Sequence, residues 1–177
     1  MGESIVTDEM RALIGRPGPT RVAPDPISRD ELRRFAQATL DPDELHWDTA
    51  KARAAGYPDV VAPPLYPVHA VRRTPGTPDP LARAGREPDW DGAEADALWR
   101  GLPELDIPLH RHLNGGSEVE FFSLTSAGEQ VEETSRYVAI DEKQGRSGAL
   151  VLTTVETEYR TTGGRPLATV RMTVVRR

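Results

Sequence analysis

The chain has 177 residues, 37% of them hydrophobic and 28% charged, enough for one soluble domain with a buried core. Its net charge of −6 argues against nucleic-acid binding, which needs a basic face, and its lack of cysteine excludes disulfides, a thiol nucleophile and thiolate metal sites. No apolar run approaches the roughly 20 residues of a membrane helix, and MGESIVTDEM lacks a basic-then-apolar leader, so a cytoplasmic location is the default expectation.

In chain order, Thr7 to Ile14 is expected as a short helix ended by the glycines and prolines of Gly15 to Pro19, and Arg21 to Ala23 as a short strand. Ser28 and Glu31 have the spacing of a capping box, and Leu32, Phe35 and Ala36 give the following helix an apolar side. After Pro42, Asp48 is the expected N-cap of a second short helix, Thr49 to Ala55, stopped by Gly56. Leu65 to Val71 is expected to be helical despite Pro67. Residues 72–100 are rich in proline, glycine and charge and are expected as a long excursion carrying Trp90 and Trp99, with a helical turn or two over Glu94 to Arg100.

The C-terminal third is expected to be all strand: Ser117 to Leu124, Gln130 to Glu142, Ala149 to Arg160 and Pro166 to Val175, with glycine turns at Gly145–Gly148 and Thr161–Gly164. Val155, Thr157 and Tyr159 alternate with Thr154, Glu156 and Glu158, which predicts one packed face and one partly wet face. Glu129 to Glu133 is expected as a solvated strand start. Helices followed by an antiparallel meander make an α+β domain spanning 1–177.

The candidate chemistry lies in FAQATLDPDELHWD, Phe35 to Asp48. Asp41 stands five positions before His46 in a turn-rich segment, and a carboxylate beside an imidazole can move protons on and off a water molecule. On spacing alone, a turn-capping aspartate and a packed or surface histidine explain the pair more simply. Four histidines occur, none in an HExxH arrangement; His110 and His112 suit an exposed polar loop better than a metal site. Arg111, Arg146 and Arg165 are candidates for a phosphate contact, with solvated turns as the commoner explanation.

This segment resembles the hydratase motif of the MaoC-like hot-dog enzymes, F-A-x-A-S-G-D-x-N-P-L-H-x-D. Phe35, Ala36, Ala38, Asp41, Leu45, His46 and Asp48 match in register, while Leu40, Asp43 and Glu44 replace glycine, asparagine and proline. The resemblance continues through Ala52, Ala55 to Tyr57, Val60 to Pro64, Asn114 to Phe122, Glu142 to Val151 and Glu156 to Arg160, and is similar to the N-terminal halves of double hot-dog, fatty-acid-synthase-type dehydratases. It implies a single hot-dog fold, a curved antiparallel sheet wrapped around a central helix that is often shortened in such halves.

The resemblance also implies an (R)-type hydratase or dehydratase of enoyl and 3-hydroxyacyl thioesters, on coenzyme A or acyl carrier protein. Asp41 and His46 would be its catalytic residues, and Ala62, Pro63, Pro64, Asn114 and Gly115 would contact substrate. Hydration moves only protons and water, so no metal or redox cofactor is implied. Hot-dog domains work in pairs, which implies a homodimer or a heterodimer with another hot-dog chain. Catalytic members carry isoleucine-alanine-histidine-glycine where this chain has Val61-Ala62-Pro63-Pro64, and proline lacks the amide hydrogen that would polarise the thioester carbonyl. Two functions therefore stay open: an enzyme, and a non-catalytic subunit shaping the acyl pocket of a catalytic partner.

Overall fold

The computed structural model describes residues 4–71, 76, 86–87, 100–146 and 148–177. Trp90, Trp99 and most of the expected turn over Glu94 to Arg100 lie outside them.

Among the described residues, five antiparallel strands form one curved sheet in the order β1-β3-β4-β5-β2: β1 Arg21–Val22, β2 His112–Phe121, β3 Val131–Gly145, β4 Gly148–Thr161 and β5 Pro166–Arg176. The sheet is that of a hot-dog fold. Residues opposite one another across β3, β4 and β5 share a face, so Glu133, Tyr159 and Ala168 lie in one inner row and Tyr137, Val155 and Met172 in another. Two apolar clusters build on this inner face. One joins Val131, Tyr159 and Leu167 to Leu32, Val60 and Tyr66; the other joins Tyr137, Ile140 and Val155 to Met10, Leu105 and Ile107. On the outer face Glu156 is buried by the guanidinium groups of Arg136 and Arg171 from the flanking strands.

Helix α1, Asp8–Arg11, is shorter than expected. Met10 is its one buried side chain, and beyond Arg11 the chain tightens to three-residue hydrogen bonds before turning at Gly15. Helix α2, Arg29–Thr39, has the expected cap, Ser28 Oγ accepting from Glu31 N–H, and buries Leu32 and Ala36. Phe35 meets Tyr66 edge to face at 5.2 Å. Asp48 caps α3, Thr49–Ala54, by accepting from Ala50 and Lys51 N–H.

In the central position stands α4, Pro67–Ala70, one turn long, with proline at its start rather than inside it. The helix therefore begins two residues later than the expected Leu65.

Two further expectations are corrected. Strand β2 starts at His112 and passes through Asn114 to Gly116, where a register shift absorbs the glycines; a Cβ on Gly115 would come within 2.9 Å of Thr173. The stretch Glu129 to Glu133 is not a solvated start: Val131 and Glu133 are buried on the inner face, and Glu129 is held by Arg165.

Candidate active site

The site is assembled by a staircase of turns after α2. Leu40 takes a left-handed conformation, φ 55° and ψ 34°, which lets Asp41 N–H close the helix on the carbonyl of Ala36 at 2.9 Å. Asp41 Oδ1 then accepts from Asp43 N–H at 3.0 Å, and Asp43 Oδ1 from Leu45 N–H at 3.0 Å. These two Asx turns lead into a single 3₁₀ turn, Glu44–His46, that drives the His46 ring inward. The aspartate does cap a turn, and the histidine is packed. The bland reading of each is true, and the same bonds set the relation between them.

His46 Nε2 lies 3.4 Å from Asp41 Oδ2, with the imidazole 3% exposed and the carboxylate 29% exposed. On the other side His46 Nδ1 is 2.8 Å from the carbonyl oxygen of Val61. A carbonyl only accepts, so Nδ1 carries the hydrogen, and in the neutral ring Nε2 is left as an acceptor facing the carboxylate. Two acceptors at this separation are reconciled by a proton shared directly across the contact, or by a water that donates to both from the open side. The pair reaches solvent from the Asp41 side, where a depression of about 440 Å³ is lined by Arg33, Ala36, Gln37, Leu40, Asp41 and Trp47.

Val61 is itself held on both sides. Its N–H donates to Leu45 O at 3.0 Å, and it pairs with Ser126 in an isolated antiparallel bridge. Ala62 N–H donates to Thr125 O at 2.7 Å, and neither Pro63 nor Pro64 has a hydrogen to give. Between Val61 and Pro64, then, no backbone N–H is left to face a substrate carbonyl.

The structure brings Asp41, His46 and the Val61–Ala62 backbone together. Asn114 and Gly115 sit instead on edge strand β2, where Asn114 Oδ1 accepts from Gly116 N–H at 2.8 Å. Arg165 is a partly exposed residue of the turn between β4 and β5, and its guanidinium binds the Glu129 carboxylate, Ser123 Oγ and the carbonyl of Leu124. Among the described residues, no cluster of three or more histidine, aspartate or glutamate side chains is placed to hold a metal ion. No helix among them is long and apolar enough to cross a membrane. The Val61 carbonyl escaped sequence reasoning because every residue has one. Leu40 could have been found, since it replaces a glycine at a helix end.

Residues 12–170 match the family model described as FAS1-like, dehydratase domain region. A UPF0336 protein of Saccharopolyspora erythraea is 30% identical over 167 residues, covering 94% of this chain and 90% of that protein. One from Thermobifida fusca is 33% identical over 156 residues, covering 86% of each. Among solved structures, the ChsH1–ChsH2 complex from Mycobacterium tuberculosis superposes with a TM-score of 0.67 at 22% identity, covering 91% of this chain and 88% of that one. The truncated HadBC (3R-hydroxyacyl-ACP dehydratase) complex from the same organism gives 0.58 at 16%, covering 89% and 95%. The (R)-hydratase from A. caviae gives 0.56 at 16%, covering 89% and 93%. At these identities the structural likenesses establish the hot-dog fold.

Proposed function

The chain belongs to the FAS1-like dehydratase family, and we propose from that premise that it hydrates enoyl thioesters, or dehydrates 3-hydroxyacyl thioesters, with (R) stereochemistry, on coenzyme A or acyl carrier protein. The observation that carries this reading is the Asp41–His46 pair, 3.4 Å apart, with the imidazole tautomer set by Val61. A water held against both from the open side gives one proton to the pair as its oxygen bonds to C3. The pair returns a proton to C2 as the double bond is lost, so H and OH are added and the dyad is regenerated. Dehydration is the same path reversed.

Ala62, Pro63 and Pro64 then form the wall beside the carbonyl end of the substrate and do not donate to it, so the polarising donor comes from elsewhere. Strand β2 is an edge of the sheet, with Leu113, Val119, Phe121 and Phe122 exposed on or just after it, and Asn114 and Gly115 lie on the same edge. A second hot-dog chain, a copy or a relative, meets this edge in our reading and completes the site. The two-chain complexes among the structural neighbours support such a pairing.

The prolines favour a second reading, in which this chain only shapes the acyl pocket of a catalytic partner. One assay separates the two. The purified chain is incubated with crotonyl-CoA and longer enoyl-CoAs, and loss of the enoyl absorbance is followed. Turnover by the chain alone, abolished by His46→Gln, supports the first reading. Turnover that appears only with a second hot-dog protein and survives His46→Gln overturns it in favour of the second.

A further inference from the structure

We propose that Arg165 and Glu129 are positioning residues for His46, acting through the backbone of Val61. Arg165 Nη1 donates to Ser123 Oγ at 2.7 Å and to Leu124 O at 2.9 Å, while Nη2 grips both oxygens of Glu129 at 2.7 and 2.6 Å. Glu129 Oε2 in turn accepts from Ser126 N–H at 2.7 Å. The fork and its carboxylate thus fix the loop 123–129 from three directions.

The middle of that loop is what holds Val61. Thr125 O takes the N–H of Ala62 at 2.7 Å, Ala127 N–H binds Val60 O at 2.9 Å, and Ser126 is bridged to Val61. Val61 O is the acceptor for His46 Nδ1 at 2.8 Å. Two backbone links therefore separate the Arg165–Glu129 pair from the imidazole. If the Val61 carbonyl swings away, Nδ1 loses its acceptor. The hydrogen then moves to Nε2, where the Asp41 carboxylate waits at 3.4 Å, and the lone pair that would take a proton from water is lost. A hydrogen bond of ordinary strength sets such a tautomer ratio by about fivefold.

The two partners are 40% and 34% exposed, and an ion pair this wet adds little to stability. That separates positioning from mere support: loss of the pair should register at His46 more than in the melting temperature. The catalytic meaning rests on the hydratase reading above, but the effect on the ring does not.

The test is long-range ¹H–¹⁵N correlation of the histidine side chains in the full chain, at a pH well above the ordinary histidine range, with the His46 signals identified by their loss in His46→Gln. The native protein should show hydrogen on Nδ1. Arg165→Ala should shift the ratio toward Nε2 by about fivefold, and Arg165→Lys, which keeps the charge but not the fork, by less. Where Arg165→Ala fails to fold, Glu129→Gln carries the same expectation at about twofold, since it weakens a charge-assisted bond rather than deleting it. An unchanged tautomer in the folded variants overturns the proposal. In the crotonyl-CoA assay, kcat should fall by up to about fivefold with KM nearly constant, with an altered pH profile. A shifted tautomer in a protein without turnover supports the positioning role and counts against the hydratase reading. Turnover with an unshifted tautomer does the reverse.

Discussion

Two acid–base pairs lie inside the same fold and behave as opposites. Asp41 and His46 sit at the end of α2, 3.4 Å apart, with the carboxylate open to a depression. Glu133, on the inner face of β3, is 1% exposed; Arg100 closes on it at 2.5 Å, Arg21 stands at 3.7 Å, and the Arg100 guanidinium lies over the Tyr159 ring at 5.7 Å. Arginine does not release its proton in proteins, and a direct contact leaves no space for water. The difference teaches which pairs can do chemistry. An approach from solvent and a side chain of a type that exchanges its proton are both needed, and burial alone provides neither.

The sealed pair predicts the larger effect on stability. Removing one member of a buried pair strands the other, and Glu133→Ala should reduce unfolding free energy by about 3 kcal/mol. Urea titration followed by circular dichroism measures it, and a loss under about 1 kcal/mol would place this pair with ordinary surface salt bridges and blur the contrast. The open pair predicts the complementary outcome. Asp41→Asn keeps an oxygen for the turn onto Asp43 N–H, so stability should change by less than about 1 kcal/mol, while turnover falls at least about 100-fold in whichever assembly is active. Unchanged turnover removes Asp41 from the mechanism.

The inner face makes a third prediction through pH. Burial pushes the Tyr137 hydroxyl, which donates to Pro103 O at 2.7 Å, up to about 12, with Arg176 opposing the shift. Burial also raises Tyr159 well above its ordinary range, partly countered by Arg100. A folded-state value above the unfolded one means the fold favours the neutral phenol. The stability from this source is therefore complete below about pH 10 and is lost as the pH rises from there toward 12. Phenolate absorbance and circular dichroism recorded together should show these two tyrosines ionising with unfolding. Phenolate from them at pH 10 in a folded chain would mean the inner face is wetter than its packing implies.

The contrast also marks what a sequence can reveal. The closeness of Asp41 and His46 was legible because they are near in the chain and set in turn chemistry. The caps at Ser28 and Asp48 and the glycine turns of the meander are local for the same reason. Glu133 was misread as solvated because its partners, Arg21 and Arg100, lie far away in sequence, and a glutamate in an alternating strand carries no mark of burial. The start of β2 was missed because two glycines normally end a strand, whereas here they sit where Thr173 leaves no space for a Cβ. Val61 acts through its carbonyl, fifteen residues from the ring it orients, and side-chain identity says nothing about that.

The smallest effect is expected at the lip of the open site. Leu40 is held at φ 55° with its side chain 86% exposed. A left-handed leucine costs about 1–2 kcal/mol relative to a right-handed one, and glycine at this helix end avoids that cost while losing more backbone freedom on folding. Leu40→Gly should therefore stabilise the chain by about 0.5 kcal/mol, raising the melting temperature by roughly 1–2 °C. The measurement sharpens the comparison because it asks whether strain is stored beside the open pair and not beside the sealed one. A lower melting temperature would show that contacts of the leucine with the Arg33 and Trp47 side of the depression outweigh its backbone strain, and that the lip of the site is packed as firmly as the inner face.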